Sequence, residues 1–347
     1  VKKKSLLDAV NSEESHAKAR ESERKLARAE NDARSWKAKY ESACEELEMA
    51  ESRTGIMKAI RQPIPADAIK RLKTGGDAVA VLALSDWHVE ERVDPAVING
   101  INSYSPEIAT KRVEEVFRRA AMLIDFSRGF SKIDTAVVWL GGDMITGYIH
   151  DELMESNFMS PTEAILFVQE LIVKGIRFLK REAKLKKIII PTSFGNHGRT
   201  TEKRRVATSA ANSHEWLMYH NLASFVKDAG FEWKVENGYF NFVRLFDKFD
   251  IRFHHGDNIR FAGGVGGITI PVNKALSQWS KIQRVNYDVF GHYHQSIDMT
   301  RWTCNGSLIG FNAFALSIKA EPEEPSQTLS IISKDRGKVL TMRVFAQ

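Results

Sequence analysis

The sequence predicts an α/β fold preceded by one long charged helix. Three observations carry that reading. Residues 1–55 hold no Pro, a Gly only at Gly55 and a dense mix of Glu, Lys, Arg and Ala. From Ala78 onward, short β-rich runs alternate with long amphipathic segments. Metal-ligand side chains recur where the predicted strands end. At 347 residues the chain exceeds the about 100–200 of one ordinary domain, so one large domain or a domain plus an appendage is expected.

The helix comes first. Leu26, Ala29, Ala33, Trp36, Tyr40, Ala43, Leu47 and Ala50 follow 3-4 spacing, and one stripe of residues 1–52 is expected to meet a partner as a coiled coil. Half of these seam residues are Ala and bury little area, so a single charged helix, packed on the body or free, is the alternative. Gly55, Pro63, Pro65 and Gly75-Gly76 then interrupt any pattern, and residues 53–77 read as a linker to a domain over 78–347.

Within that domain, Ala78–Leu84, Thr135–Leu140 and Lys187–Pro191 read as buried strands. Ser105-Pro106 opens one helix, and Ser160-Pro161-Thr162-Glu163 opens another with a capping box and Pro at the first helical position. Ile165, Val168, Ile172, Ile176 and Leu179 share one face of the second helix, which therefore packs on a sheet. After about residue 238 strands dominate: Tyr239–Leu245, Asp250–His255, Asp288–Phe290 and several short runs near the C-terminus. Two sheets sandwiched between helices account for both halves.

With 43% hydrophobic and 27% charged residues, and no apolar run near about 18 residues, neither a disordered nor a membrane-spanning chain fits. The net charge is +6, and residues 1–55 hold 12 basic and 12 acidic residues, so the surplus belongs to residues 56–347. A mildly basic body suits a polyanionic partner such as nucleic acid, or simply keeps the surface soluble. Cys44 and Cys304 form no framework, and Val-Lys-Lys-Lys lacks an apolar signal core, so a reducing, cytoplasmic setting is expected. The opening Val1 also fits a piece of a longer chain.

Five predicted strands run into polar motifs: Asp86-Trp87-His88, Gly141-Gly142-Asp143, Gly195-Asn196-His197, His254-His255-Gly256-Asp257 and Gly291-His292-Tyr293-His294. Divalent cations take carboxylate, imidazole and amide oxygen donors, and a pair of ions takes a carboxylate that bridges them. In Asp-x-His and His-x-His, extended backbone sends both side chains to one face. Any one motif is a common turn, but five in series predict a di-metal site. His16, His214 and His220 lie outside the motifs and are assigned surface or packing roles.

This series resembles the calcineurin-like metallophosphoesterase superfamily, which includes protein phosphatases, nucleotide phosphodiesterases and DNA double-strand-break repair nucleases. The resemblance spans residues 78 to 300. It implies a four-layer α/β-β/α sandwich with two divalent metals at the strand ends, manganese foremost, with iron or zinc as alternatives. Asp86, His88, Asp143 and His294 would hold the first metal, and Asp143, Asn196, His255 and His292 the second, with Asp143 bridging. The family places its ligand directly before Gly, and neighbouring strand residues face opposite ways, so His255 is preferred to His254. His197 resembles the catalytic histidine and is expected to stabilise the transition state or protonate the leaving oxygen, oriented by Asp86.

The implied reaction is phosphodiester hydrolysis by in-line attack of a metal-bridging hydroxide. Two departures from the family pattern bear on substrate. Gly198-Arg199 follows Gly-Asn-His where the family often has an acidic residue, and Met144-Ile145-Thr146-Gly147 follows Asp143, unlike the protein-phosphatase branch. Arg199 is expected to clamp phosphate, with Lys203, Arg204 and Arg205 extending the charge; the other reading is a solvated loop. His150, in Tyr148-Ile149-His150-Asp151, and the Gly263–Gly267 loop, followed by a helix carrying Lys274, Trp279, Lys281 and Arg284, are further candidate contacts. A basic body, nearby aromatics and an oligomerising helix favour a DNA nuclease. A small-nucleotide phosphodiesterase or phosphomonoesterase is the alternative, and a catalytically silent metal-binding scaffold a remote one.

Overall fold

Without proline to interrupt them, residues 6–61 form one helix, α1 (Leu6–Arg61), 56 residues long. The structure, a computed structural model, describes residues 6–61, 76–260 and 266–347. The chain divides into two units, Val1–Lys70 and Arg71–Gln347. Helix α1 continues through Gly55 to Arg61, so the first part of the expected 53–77 linker is helical; residues 62–75 of that linker lie outside the described residues. Leu26, Trp36, Tyr40 and Leu47 of the predicted seam are all exposed.

The second unit begins with β1 (Asp77–Leu84), α2 (Pro106–Ser127), β2 (Lys132–Leu140), α3 (Asp151–Ser156), α4 (Pro161–Glu182), β3 (Lys187–Pro191), α5 (His214–Phe225) and β4 (Phe231–Lys234). It continues with β5 (Asn241–Leu245), β6 (Phe249–Phe253), α6 (Thr269–Trp279), β7 (Tyr287–Phe290), β8 (Ile297–Asp298), β9 (Trp302–Cys304), α7 (Ala313–Ser317), β10 (Ser326–Ser333) and β11 (Gly337–Phe345). Two mixed sheets result, ordered β11-β10-β1-β2-β3-β4 and β5-β6-β7-β9-β8. The chain is thus α/β, with seven α-helices among the described residues.

Period-two alternation in β1 explains the layering. Ala78, Ala80, Leu82 and Leu84 enter a core shared with α2, α4 and α5, whereas Val79, Val81 and Ala83 enter another shared with Val243, Ile251, Phe253 and Val289 of the five-stranded sheet. Trp139 of β2 stacks on Phe253 of β6 at 5.9 Å within the latter core. Ile268, Val272 and Leu276, at and in α6, pack with Phe290, Trp302 and Cys304 on the five-stranded sheet. A strand buried on both faces must be central, and β1 is flanked by parallel β2 and antiparallel β10. Of the late strands, β8 and β9 join the second sheet, whereas β10 and β11 form a hairpin that completes the first.

Helix starts follow their caps. Ser105 accepts the Ile108 N–H ahead of α2, and Ser160 and Glu163 form the reciprocal capping box of α4, with Pro161 at its first turn. Val168, Ile172, Ile176 and Leu179 of α4 are buried, and Ile165 is partly buried against the same core. Helix α6 ends at Trp279, so Lys281 and Arg284 lie beyond it.

Candidate metal centre

Strands β1, β2 and β3 are parallel, as are β6 and β7, so each set presents its C-terminal ends along one sheet edge. The loops leaving these five ends carry the five motifs. Backbone bonds interlock them: the Asp86 N–H donates to the Gly142 carbonyl (3.0 Å), His88 N–H to the Asp143 carbonyl (3.1 Å) and Gly291 N–H to the His255 carbonyl (2.8 Å). His255 Nδ1–H donates to the Gly141 carbonyl at 2.8 Å and joins the loops of the two sheets.

The backbone is bent to bring the side chains together. Asp86, His88, Asp143, His292 and His294 all have positive φ, from 48° to 73°. Each such L-residue costs about 1–2 kcal/mol, a strain that persists only where surrounding bonds over-determine it. Close approach also needs glycine: a Cβ on Gly195 would fall 2.0 Å from Asp143 Oδ1, and one on Gly291 2.3 Å from Asp86 Oδ2.

Three donor clusters result, each with its atoms within 4.8 Å: Asp86, His88 and His294; Asp143, His255 and His292; and His88, Asp143 and His197. His294 Nε2 lies 3.4 Å from Asp86 Oδ1 and 3.3 Å from His88 Nε2, and His255 Nε2 lies 2.9 Å from Asp143 Oδ2. Two ligands bound to one ion at about 2.0–2.2 Å stand about 3 Å apart, so these separations fit a shared cation. With Nδ1–H given to Gly141, His255 turns Nε2 toward the Asp143 carboxylate, where a metal ion can take the place of its second proton. Asn196 Oδ1 is buried with no hydrogen-bond partner among the described residues, the state of an oxygen donor awaiting a ligand.

Electrostatics agree. Burial works against ionisation of Asp143, but His255 and His197 outweigh it and hold the carboxyl well below its usual range. Burial likewise opposes the His255 cation, yet Asp143 lifts that imidazole well above its ordinary value. Burial, then His197 and His294, drives His88 well below its ordinary value; burial, then His255, pushes His292 down to about 4. Buried carboxylates that demand positive charge thus stand beside neutral imidazole lone pairs, and these groups can hold a metal ion.

His197 stands at the rim of the clusters. Its Nδ1–H donates to the Thr146 carbonyl at 2.9 Å, its backbone N–H donates to Asp143 Oδ1 at 2.8 Å, and its ring meets His88 edge-on at 4.7 Å. The orienting group is therefore the Thr146 carbonyl and not Asp86, whose carboxylate accepts from the Ser85 hydroxyl and the His292 N–H. His254 and His255 both follow β6 rather than ending it; His255 meets Asp143, while His254 stacks on Phe290 at 5.2 Å.

Three carboxylates missed in the sequence support the loops. Buried Glu215 of α5 accepts the N–H groups of Met144 (2.6 Å) and Gly195 (2.7 Å), clamping the loops after β2 and β3. Glu90 accepts from the Thr146 and Gly147 N–H groups, each at 2.8 Å, and Glu91 accepts from Asn312 Nδ2 at 2.8 Å. Burial pushes both Glu90 and Glu215 up to about 7. The signal for Glu215 was its place on the stripe Glu215, Met218, Tyr219 and Leu222, an acid on an otherwise apolar face.

The candidate substrate contacts are dispersed. The Arg199 guanidinium donates to the carbonyls of Asn196 (2.8 Å), Thr201 (3.0 Å) and Glu202 (3.1 Å), so much of its fork holds its own loop. Arg204 pairs with Asp257 and donates to Asn258 Oδ1 at 2.6 Å, whereas Lys203 and Arg205 are exposed. Arg199, Arg204 and Arg205 line a cavity of about 240 Å³ that reaches Asn196. His150 is exposed at the N-cap of α3 and enters none of the donor clusters among the described residues. Of the Gly-rich loop, residues 263–265 lie outside the described residues, and Gly266 and Gly267 have φ of 88° and 54°. No family model matches the chain, and no curated protein matches it.

Proposed function

We propose that the chain is a dinuclear-metal phosphoesterase that hydrolyses phosphodiester bonds, with DNA as its foremost substrate, built on the four-layer α/β-β/α sandwich of the metallophosphoesterases. The observation that carries this reading is Asp143, one carboxylate shared by two donor clusters at the meeting point of five strand-end loops. The two cores on either side of the six-stranded sheet, and the third under α6, support the layer order.

Asp86, His88, Asp143 and His294 would hold one ion and Asp143, Asn196, His255 and His292 the other; mixed carboxylate, imidazole and amide oxygen donors suit manganese, with iron or zinc as alternatives. Such a pair supplies Lewis acidity toward phosphoryl oxygens and an activated water when bound. The remaining work falls to the chain. Anchored through Nδ1–H to Thr146, His197 keeps Nε2 available to hand a proton to the leaving oxygen. Arg199, fixed by three carbonyls, turns its remaining N–H groups to a phosphate oxygen. A small-nucleotide phosphodiesterase is the second reading, favoured by the modest size of the cavity beside Asn196.

Hydrolysis of labelled single- and double-stranded DNA, bis-p-nitrophenyl phosphate and p-nitrophenyl phosphate with added manganese tests the proposal, with Asp143→Asn as control. The variant is expected to lose at least one bound ion by elemental analysis and at least about a thousandfold in rate, since it removes the shared ligand. Full activity in Asp143→Asn removes the site assignment. Cleavage of the small esters alone moves the reading to the nucleotide phosphodiesterase or phosphatase, and bound metal without any hydrolysis leaves a scaffold.

A further inference from the structure

The cavity beside Asn196 carries three features that a metal centre does not require. Two cations enter it without a carboxylate partner: Arg199 donates only to backbone carbonyls, and Arg205 makes no hydrogen bond or ion pair among the described residues. The one carboxylate in its wall, Asp257, is already paired with Arg204, so the cavity keeps a positive excess that favours an anion. Asp257 has a second property: its side chain is 9% exposed, and its Oδ1 is buried with no hydrogen-bond partner among the described residues. At the rim Val206, 81% exposed, presents an apolar surface next to Arg205.

We infer that this cavity seats the nucleoside unit attached to the reacting phosphate, and so selects nucleotide phosphodiesters over other phosphate esters. The inference rests on the phosphoesterase reading for the position of the reacting phosphate, at the Asn196 end of the cavity. An anion, a hydrogen-bond donor and a flat apolar face are needed together, and a nucleotide brings all three: a neighbouring phosphate for Arg205, a sugar hydroxyl or base amino group for Asp257 Oδ1, and a base for Val206. Inorganic phosphate brings only the first. A volume of about 240 Å³ is below the range of about 300–1,000 Å³ that encloses drug-sized ligands, so it accepts one nucleotide unit while the rest of a strand runs out through its mouth. Arg204 is a positioning residue here, since its bonds to Asp257 and Asn258 fix the acidic wall against the loop that carries Arg205.

The test is calorimetric titration of the full, manganese-loaded chain with thymidine 3′,5′-bisphosphate, which carries a neighbouring phosphate for Arg205, and, separately, with inorganic phosphate, for wild type and Arg205→Ala, with metal content measured in both. Wild type is expected to bind the nucleotide at least about tenfold more tightly than phosphate, and Arg205→Ala to lose about tenfold for the nucleotide with its metal retained. Equal affinity for nucleotide and phosphate, or an unchanged nucleotide affinity in Arg205→Ala, overturns the inference. The two readings fail separately. Hydrolysis of bis-p-nitrophenyl phosphate without nucleotide preference keeps the phosphoesterase and removes the nucleotide seat. Arg205-dependent nucleotide binding without hydrolysis of any ester keeps the seat and removes the enzyme.

Discussion

Among the residues that meet at the strand ends, Asp143 and His197 divide the work differently, and substitution separates them. Asp143 takes the His197 N–H and faces His255, so its loss disturbs both the donor set and the loop after β3. His197 belongs to one cluster only and is held by a backbone carbonyl. His197→Ala is therefore expected to retain both ions and to lose about 10²–10⁴ in kcat, the span of a positioned proton donor. Loss of metal together with turnover would make it a structural residue instead, a distinction that elemental analysis beside single-turnover rates reads directly. The seven ligand-type residues were legible because their side chains are the chemistry. What oriented His197 was not: a peptide carbonyl has no residue type, and sequence reasoning turned to Asp86 because only side chains are visible to it. The anchoring of Arg199 was hidden for a related reason, since its guanidinium donates to three carbonyls of neighbouring residues that any sequence would offer.

Elements rather than single residues hold the two halves of the donor set in register, and α5 is the clearest case. Glu215 spends both oxygens on backbone N–H groups of two different loops, at 2.6 and 2.7 Å. Gln at this position offers one acceptor and one amide donor, so one buried N–H must face another donor. Glu215→Gln is expected to cost about 1–3 kcal/mol of stability and to weaken metal binding by about 10–100-fold, although it touches no ligand. Thermal melts and metal titration together check this, and a variant with wild-type values in both would show that the loops hold without the clamp. The strands that carry the motifs were legible from their apolar runs, as were the caps of α2 and α4. The C-terminal hairpin was not. Strand β10 returns from near the end of the chain to pair with β1, and β11 pairs with β10; such a pairing depends on which edge is left open, which no local pattern records.

The first unit poses the question of assembly, and charge decides the geometry it favours. In the seam, Leu26, Ala33, Tyr40 and Leu47 occupy one core position of the heptad and Ala29, Trp36 and Ala43 the other. Two copies side by side, parallel and in register, would set Lys18 against Glu23, Lys25 against Glu30 and Asp32 against Lys37 across the flanks, with Glu46 against Glu51 as the one repulsive pair. Reversing one copy so that Trp36 meets Tyr40 would instead set Lys37 against Lys37, Lys39 against Lys39 and Asp32 against Glu46. Each exposed pair is worth only a few tenths of a kcal/mol, but three attractive pairs outweigh one repulsive pair, so parallel pairing is expected. Strength is limited by the seam. Leu26, Trp36, Tyr40 and Leu47 are 61–71% exposed, and burying each yields about 1–2 kcal/mol, a gross gain close to the about 4–15 kcal/mol that association costs. A dimer no tighter than micromolar is therefore expected. Sedimentation of the full chain is expected to show mass doubling over tens of micromolar, and Ala33→Cys with Cys44→Ser to crosslink under mild oxidation, because identical core positions face each other only in the parallel, in-register pair. Doubling of mass without that crosslink would assign the reversed arrangement. A monomer at high concentration would leave α1 a single solvated helix whose Ala-rich stripe is too small to hold a second copy.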